Sequence, residues 1–315
     1  MTVAELSPRT HADPVVLEGR FRLDCRVSEG DGVSLWRATD QVLRRSVAVH
    51  LLPAWTPLPP GLAQAVQASA RVNDARLAPI FDISFSPECP CIISEWAADP
   101  NLEDLLLTGL PDPSLAAFIV AEAADAISSA HEGGRPHLRL GLRSLHWGSS
   151  GLKITGLGID AALSGADPAD PARTDTARTD TEALARILYA LLTGYWPGDE
   201  ATALRPARRN RAGLYEPRQL SAGVPAILNA IICQALPGQP SWGQASIRTP
   251  HALATALRGA RPAVQTLVPS PRLPQAATQA ATQAAPHAAP RGNARHARGR
   301  GDAGRRLAPA SCFSS

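Results

Sequence analysis

Lysine is nearly absent. Lys and Arg together number 31 in 315 residues, and Lys153 is the only lysine among them. The basic residues are therefore arginines, and chemistry that needs an ε-amine has a single candidate. Cysteine is sparse and does not pair by pattern. Of the five, Cys89 and Cys91 stand one residue apart, and no second pair completes a four-ligand zinc set. Reduced thiols in a cytosolic setting are the expectation. No run approaches the ~18 apolar residues of a membrane-spanning helix. The opening MTVAELSPRTHADP lacks the apolar core of a signal peptide. The polypeptide as given is thus expected to be cytoplasmic, without a transmembrane segment. A net charge of +3 is too small to argue for nucleic acid as a partner. The most informative absence is local: from Gly133 to Ile159 there is not one Asp, Glu or Asn.

The pattern that is present changes along the chain. Residues 1–14 are polar, contain two prolines and are expected to be a disordered lead-in. FRLDCRV (Phe21–Val27) and GVSLWRA (Gly32–Ala38) alternate apolar with polar, and SVAVHLL (Ser46–Leu52) is a β-branched run, so three strands are predicted. LAQAVQASARV (Leu62–Val72) reads as a helix, and IFDISFS and CIISEWA return to strand chemistry. After Pro100 helices dominate. They are predicted over Ser114–Gly134, over Asp180–Gly194 with Leu184, Ile187, Leu188, Leu191 and Leu192 on one face, and over VPAILNAIICQAL and TPHALATALRGA. Residues 164–180, rich in Pro, Asp, Thr and Ala, read as a loop. From Arg261 onward Ala, Pro, Gln and Arg dominate, a composition unable to bury enough apolar surface to offset ordering entropy. The expected class is α+β: a small, mostly antiparallel β-rich lobe with one helix over 15–95, a larger helical lobe over 96–260, and a basic disordered tail over 261–315.

This order of motifs resembles bacterial Ser/Thr protein kinases of the actinobacterial type, from about Leu17 to Arg258. EGRFRLDCRVSEGDGVSLWRATD is similar to the first strand, glycine loop and second strand of that family, and SVAVHLL to the strand that bears V-A-I-K. CIISEWAADPNLEDLL looks like the hinge and the short helix after it, and AISSAHEGGRPHLRL like the long helix leading into the catalytic loop. DTEALARILYALLTGYWP is the most specific match. The resemblance implies a bilobal kinase-like fold.

It also implies a set of chemical groups, and these are missing one after another. In register, the glycine loop becomes Ser28-Glu29-Gly30-Asp31-Gly32-Val33, in which only Gly30 stays in place and two acids are added. His50 takes the position of the phosphate-binding lysine. The helix glutamate that would hold that lysine has no candidate, because no Glu occurs between Glu29 and Glu88. H-R-D-L-K-P-x-N maps onto His137 through Ser144, so the base aspartate is Arg139 and the magnesium asparagine is Ser144. D-F-G becomes Gly156-Leu157-Gly158, and the first carboxylate beyond it, Asp160, is expected to point elsewhere. Asp180 fits either a buried aspartate that holds the catalytic-loop backbone or a plain helix N-cap.

The expectation is a pseudokinase: no catalytic residue, no metal ligand and no cofactor. Gly30, His50 and Glu95 would be what is left of a nucleotide cleft, and ATP binding there would not depend on magnesium. Such a domain would regulate or scaffold through a protein partner, either an active Ser/Thr kinase or a domain that reads phosphothreonine. Thr174, Thr176, Thr179 and Thr181 are the candidate phospho-acceptors in the activation-segment position. The alternative is a nucleotide-binding or weakly active Ser/Thr kinase homologue.

Overall fold

Alternating and β-branched segments build the first lobe. The computed structural model describes residues 15–30, 32–54, 62, 73–164, 175–211, 213–237 and 245–267. Strands β1 (Val16–Leu17), β2 (Phe21–Gly30), β3 (Val33–Asp40), β4 (Arg45–Leu51), β5 (Ile80–Ser84) and β6 (Cys91–Glu95) form one antiparallel sheet in the order β1-β2-β3-β4-β6-β5. Register sets Val47 opposite Ala38, and Val49 opposite Ile93. One face thereby gathers these residues with Phe21, Leu23, Leu51 and Cys91 into an apolar cluster. Two bulges in β2 add twist where it passes β3. Of the helix expected over 62–72, only Leu62 lies within the described residues; it is helical and buried.

The second lobe holds α1 (Leu102–Thr108), α2 (Pro113–Glu132), the hairpin β7 (Leu145–Gly148) and β8 (Gly151–Ile154), α3 (Asp160–Leu163), α4 (Thr176–Thr193), α5 (Pro217–Leu220), α6 (Ala226–Ala235) and α7 (Pro250–Leu267). Alanines at Ala116, Ala123 and Ala124 keep the packed face of α2 thin, and α4 lays Leu184, Ile187, Leu188 and Leu191 into the same core. The Asp112 carboxylate accepts the Ser114 N–H, with Pro113 at the first helical position. Gly194, at φ 75°, ends α4 in a left-handed conformation that a side chain would resist.

Two boundaries differ from the sequence reading. Helix α4 starts at Thr176 rather than at Asp180, because Asp175 accepts the Arg178 N–H and Arg178 pairs with Glu182 one turn on. Asp180 is therefore inside the helix and is not its N-cap. Helix α7 runs to Leu267, past the expected boundary at 260, since the AVQTL that follows Pro262 contains no breaker. The lead-in over 1–14 and residues 268–315 of the tail lie outside the described residues.

The lobes are laced together beside the hinge. Ala78 N–H donates to Ile154 O at 2.8 Å, and Ile154 N–H donates to Arg76 O at 2.7 Å. Arg76 reaches Asp74, Glu122 and Asp125, while Arg258 of α7 reaches the last two from the other side. No helix among the described residues is long and apolar enough to cross a membrane.

Candidate functional site

The loop between α2 and β7 is held from behind. Asp180, with no exposed surface, accepts the backbone N–H of His137 and of Leu138, each at 2.7 Å, and a third hydrogen bond from His131 Nε2 at 2.8 Å. This is the buried-aspartate role, one of the two readings open for that residue. Leu138 sits at φ 65°, a left-handed conformation that costs a branched side chain about 1–2 kcal/mol. The Asp180 clamp fixes that turn, and Leu138 packs on Ala161. His137, fully buried, donates from Nε2 to the Thr155 carbonyl at 2.9 Å, while its Nδ1 is buried without a partner.

The residues at the kinase-like positions differ in kind. Arg139 is exposed. Ser144 is buried and serves its own loop: its Oγ accepts the Gly141 N–H at 2.9 Å, and its carbonyl accepts the Thr155 N–H. Next to it, Arg143 is paired with Glu103 of α1, whose other oxygen accepts the Ala203 N–H at 2.6 Å. His50 lies on β4 opposite Leu35 and Ile92, and burial pushes its pKa down to about 4. At neutral pH it carries no charge. Gly30 pairs with Val33 to close the β2–β3 hairpin, with Glu29 beside it in an ion pair with Arg26. Asp31 lies outside the described residues.

Glu95 is engaged on another surface. Its carboxylate meets Lys153 Nζ at 2.8 Å, and the same ammonium donates to Ala75 O at 2.7 Å. Both side chains line a groove of 530 Å³ that Arg76, Trp96, Phe118 and Trp147 also border; Gly30 and His50 do not line it. The single lysine is thus occupied in tying the hinge to β8.

The position of Asp160 overturns the expectation that it points elsewhere. Gly156 has φ 86°, and a Cβ placed on it would collide with Asp160 Oδ2 and lie 2.9 Å from Oδ1. The tight turn explains this: the N–H groups of Ile159 and Asp160 both donate to Gly156 O, so the chain coils straight into α3 and folds residue 160 back. Burial pushes the Asp160 carboxyl up to about 6, against the opposing pull of His137 and Arg139. In the same turn Ile159 and Ala162 pack with Leu52, Leu62 and Ile92, so the segment after Gly158 is anchored to the first lobe.

Among the described residues no group of three or more His, Cys, Asp or Glu side chains converges as a metal set. Ser144 and Gly156 stand where the kinase resemblance calls for an amide and a carboxylate, leaving Asp160 as one lone carboxylate. Magnesium takes near-octahedral oxygen coordination, with one or two carboxylates and the rest from water and phosphate, so Asp160 would be its one carboxylate ligand at these positions. Of the threonines, Thr174 lies outside the described residues, Thr176 opens α4 half-buried, and Thr179 is exposed. Thr181 is fully buried, with its hydroxyl donating to Ala177 O at 2.7 Å, so the folded domain withdraws it from modification.

Sequence reasoning located the Asp180 clamp as one of two readings. It missed the Asp160 carboxylate, whose only sequence signal is its spacing four residues after a glycine. It also missed Glu103, a buried acid inside an ordinary helical LEDLL.

No protein-family model matches the chain. It is 25% identical over 256 residues to the serine/threonine-protein kinase PknB of Mycobacterium leprae, covering 72% of this chain and 41% of that protein. It is 25% identical over 256 residues to the serine/threonine-protein kinase Pkn1 of Myxococcus xanthus, covering 73% and 37%. The chain thus spans about two fifths of the length of these relatives. Among solved structures it is similar to the PknI kinase domain of Mycobacterium tuberculosis, with a TM-score of 0.58 and 16% identity over 79% of this chain and 99% of that one. The fold is that of a protein kinase.

Proposed function

We propose that this protein-kinase-like domain does not transfer phosphate and instead serves bacterial signalling as a regulatory or scaffolding module that binds a protein partner in the cytoplasm. One observation carries the reading: the loop geometry around Asp180 is kept, while the positions for cation, base and metal hold a neutral His50, an exposed Arg139 and a Gly156 whose side-chain space is filled by Asp160. Phosphoryl transfer depends on positioning plus charge neutralisation, and the His50, Ser144 and Gly156 positions do not supply the usual charged or metal-binding groups for the second half.

The experiment is a thermal-shift titration with ATP, with and without magnesium, alongside a phosphotransfer assay on a generic Ser/Thr substrate. No shift, or a small one indifferent to magnesium, is the expected result. A stabilisation that requires magnesium would overturn the reading. A second reading, a nucleotide-binding or weakly active Ser/Thr kinase, draws support from the kinase relatives and from the Asp160 carboxylate beside Gly156. Under that reading Asp160→Asn would abolish the magnesium-dependent shift.

Regulation through the activation-segment position rests on Thr174, Thr176 and Thr179. Phosphate at Thr176 would meet the first turn of α4, a favourable place for an anion. Mass spectrometry after incubation with an active Ser/Thr kinase should find phosphate on these residues and none on Thr181; unmodified loop peptides would sink the idea.

A further inference from the structure

Between α4 and α6 the chain presents RPARRNR, and Arg205, Arg208, Arg209 and Arg211 within it are all exposed. Arg209 donates to Pro197 O at 2.9 Å and approaches the fully exposed Asp199 at 3.6 Å. Among the described residues no carboxylate lies within ion-pair distance of Arg205, Arg208 or Arg211. Several arginines elsewhere are matched to acids, as at Arg20, Arg76, Arg178 and Arg258, whereas here three of four closely spaced arginines have no acid partner among the described residues.

The ribbon that carries them is fixed to the core. Strand β10 (Arg205–Pro206) pairs with β9 (Tyr195–Trp196), and Ala207 N–H donates to Trp196 O at 2.7 Å. Strand β11 (Arg209–Asn210) pairs with β12 (Gly213–Leu214), and Tyr215 N–H closes back onto Arg208 O. The hydroxyl of Tyr189, a fully buried residue of α4, donates to Tyr215 O at 2.9 Å. At its other end the ribbon is tied through the Ala203 N–H to Glu103, which also holds Arg143.

We propose that this arginine ribbon is the docking surface for an acidic segment, rich in Asp or Glu, of a protein partner. The inference rests on the partner-binding half of the proposed function and names the chemistry of that partner. Planar guanidinium forks match carboxylates in pairs, and presenting them on an anchored ribbon lowers the ordering entropy lost on binding. Crowded like charges, three of the four without an acid partner among the described residues, gain most from an incoming anion. A polynucleotide fits less well. The neighbouring Trp196 is buried rather than offered for base stacking.

The test uses the full chain and a fluorescein-labelled glutamate-rich dodecapeptide, read by fluorescence anisotropy. Arg205→Gln, Arg208→Gln and Arg211→Gln together should weaken binding about tenfold and flatten its salt dependence. A companion carries Gln at the tail arginines 291, 295, 298, 300, 305 and 306, and it should bind nearly as the parent does. Loss of binding in the companion with full binding in the ribbon variant would overturn the proposal. Tighter ribbon-dependent binding of a single-stranded oligonucleotide would overturn it as well. Should the triple variant melt early, Arg211→Gln alone replaces it, and unchanged affinity there is equally fatal. The readout contains no nucleotide. A chain that ignores the peptide yet shows no magnesium-dependent ATP shift loses this proposal alone, and the converse result loses only the inactive reading.

Discussion

At Asp180 three hydrogen bonds converge on a carboxylate without exposed surface, and in front of it a left-handed Leu138 is held in place. A few residues along the same loop, Arg139 faces solvent, Ser144 closes its own turn, and Gly156 has no side chain at all. The first region retains a strained and costly geometry, and the second has none of the groups that such geometry positions in a kinase. A domain losing order generally would be expected to loosen the buried clamp along with the site. An ordered clamp beside the His50, Arg139, Ser144 and Gly156 positions is the contrast on which the proposed non-catalytic reading rests.

The comparison can be broken most forcefully from the scaffold side. Asp180→Ala would leave two buried backbone N–H groups unpaired and release the Leu138 turn; a loss of about 3 kcal/mol or more is expected in urea unfolding. Gly156→Asp comes next. A β-carbon there must take a left-handed φ and displace the Asp160 carboxylate, at about 2–4 kcal/mol. Adding Asp160→Ala to it should recover about half of that loss, because only the steric part is relieved. If Gly156→Asp alone proved neutral, the account of the filled space would be wrong.

Titration gives a smaller and two-sided effect. Asp160 has a folded pKa raised to about 6, so its burial destabilises the domain at neutral pH. As pH falls through 6 towards the ordinary carboxyl value, that penalty disappears, with a gain of at most about 3 kcal/mol. His50 works in the opposite sense. Its folded pKa is depressed to about 4, so between the ordinary histidine value and 4 the unfolded chain takes up the proton first and stability falls with pH. Asp160→Asn should therefore remove an acid-side gain, and His50→Gln an acid-side loss. Stability curves from pH 7 to about 4 would show opposite changes of slope. The smallest effect is expected at Arg139→Ala, an exposed change within about 0.5 kcal/mol of the parent. A large loss there would mean that the arginine has a structural task and would blur the contrast.

Much of this architecture was legible in the residues. The alternation of FRLDCRV and the β-branched SVAVHLL mark strands because a sheet with one packed face demands it, and the leucine spacing of α4 marks its buried stripe. The start of α4 was misplaced because the Pro- and Asp-rich stretch before it hides a capping aspartate at Asp175. The assignment of His50, Arg139, Ser144 and Gly156 to kinase positions rests on the order of motifs alone. Their surroundings could not be read that way. Whether Asp160 turns outward or back depends on two backbone hydrogen bonds to Gly156 O, and no residue type encodes that choice. The engagement of Glu95 was equally hidden, since its partner Lys153 lies 58 positions away and meets it only after the lobes close.

Lys153 has a practical side. The 315 residues contain one ε-amine, and it sits against the hinge, ion-paired with Glu95 and hydrogen-bonded to the carbonyl of Ala75. Acylating reagents that scatter over most protein surfaces would here modify one side chain, at the junction of the two lobes. A fluorophore placed there would label the junction of the two lobes at one side chain without an engineered attachment point.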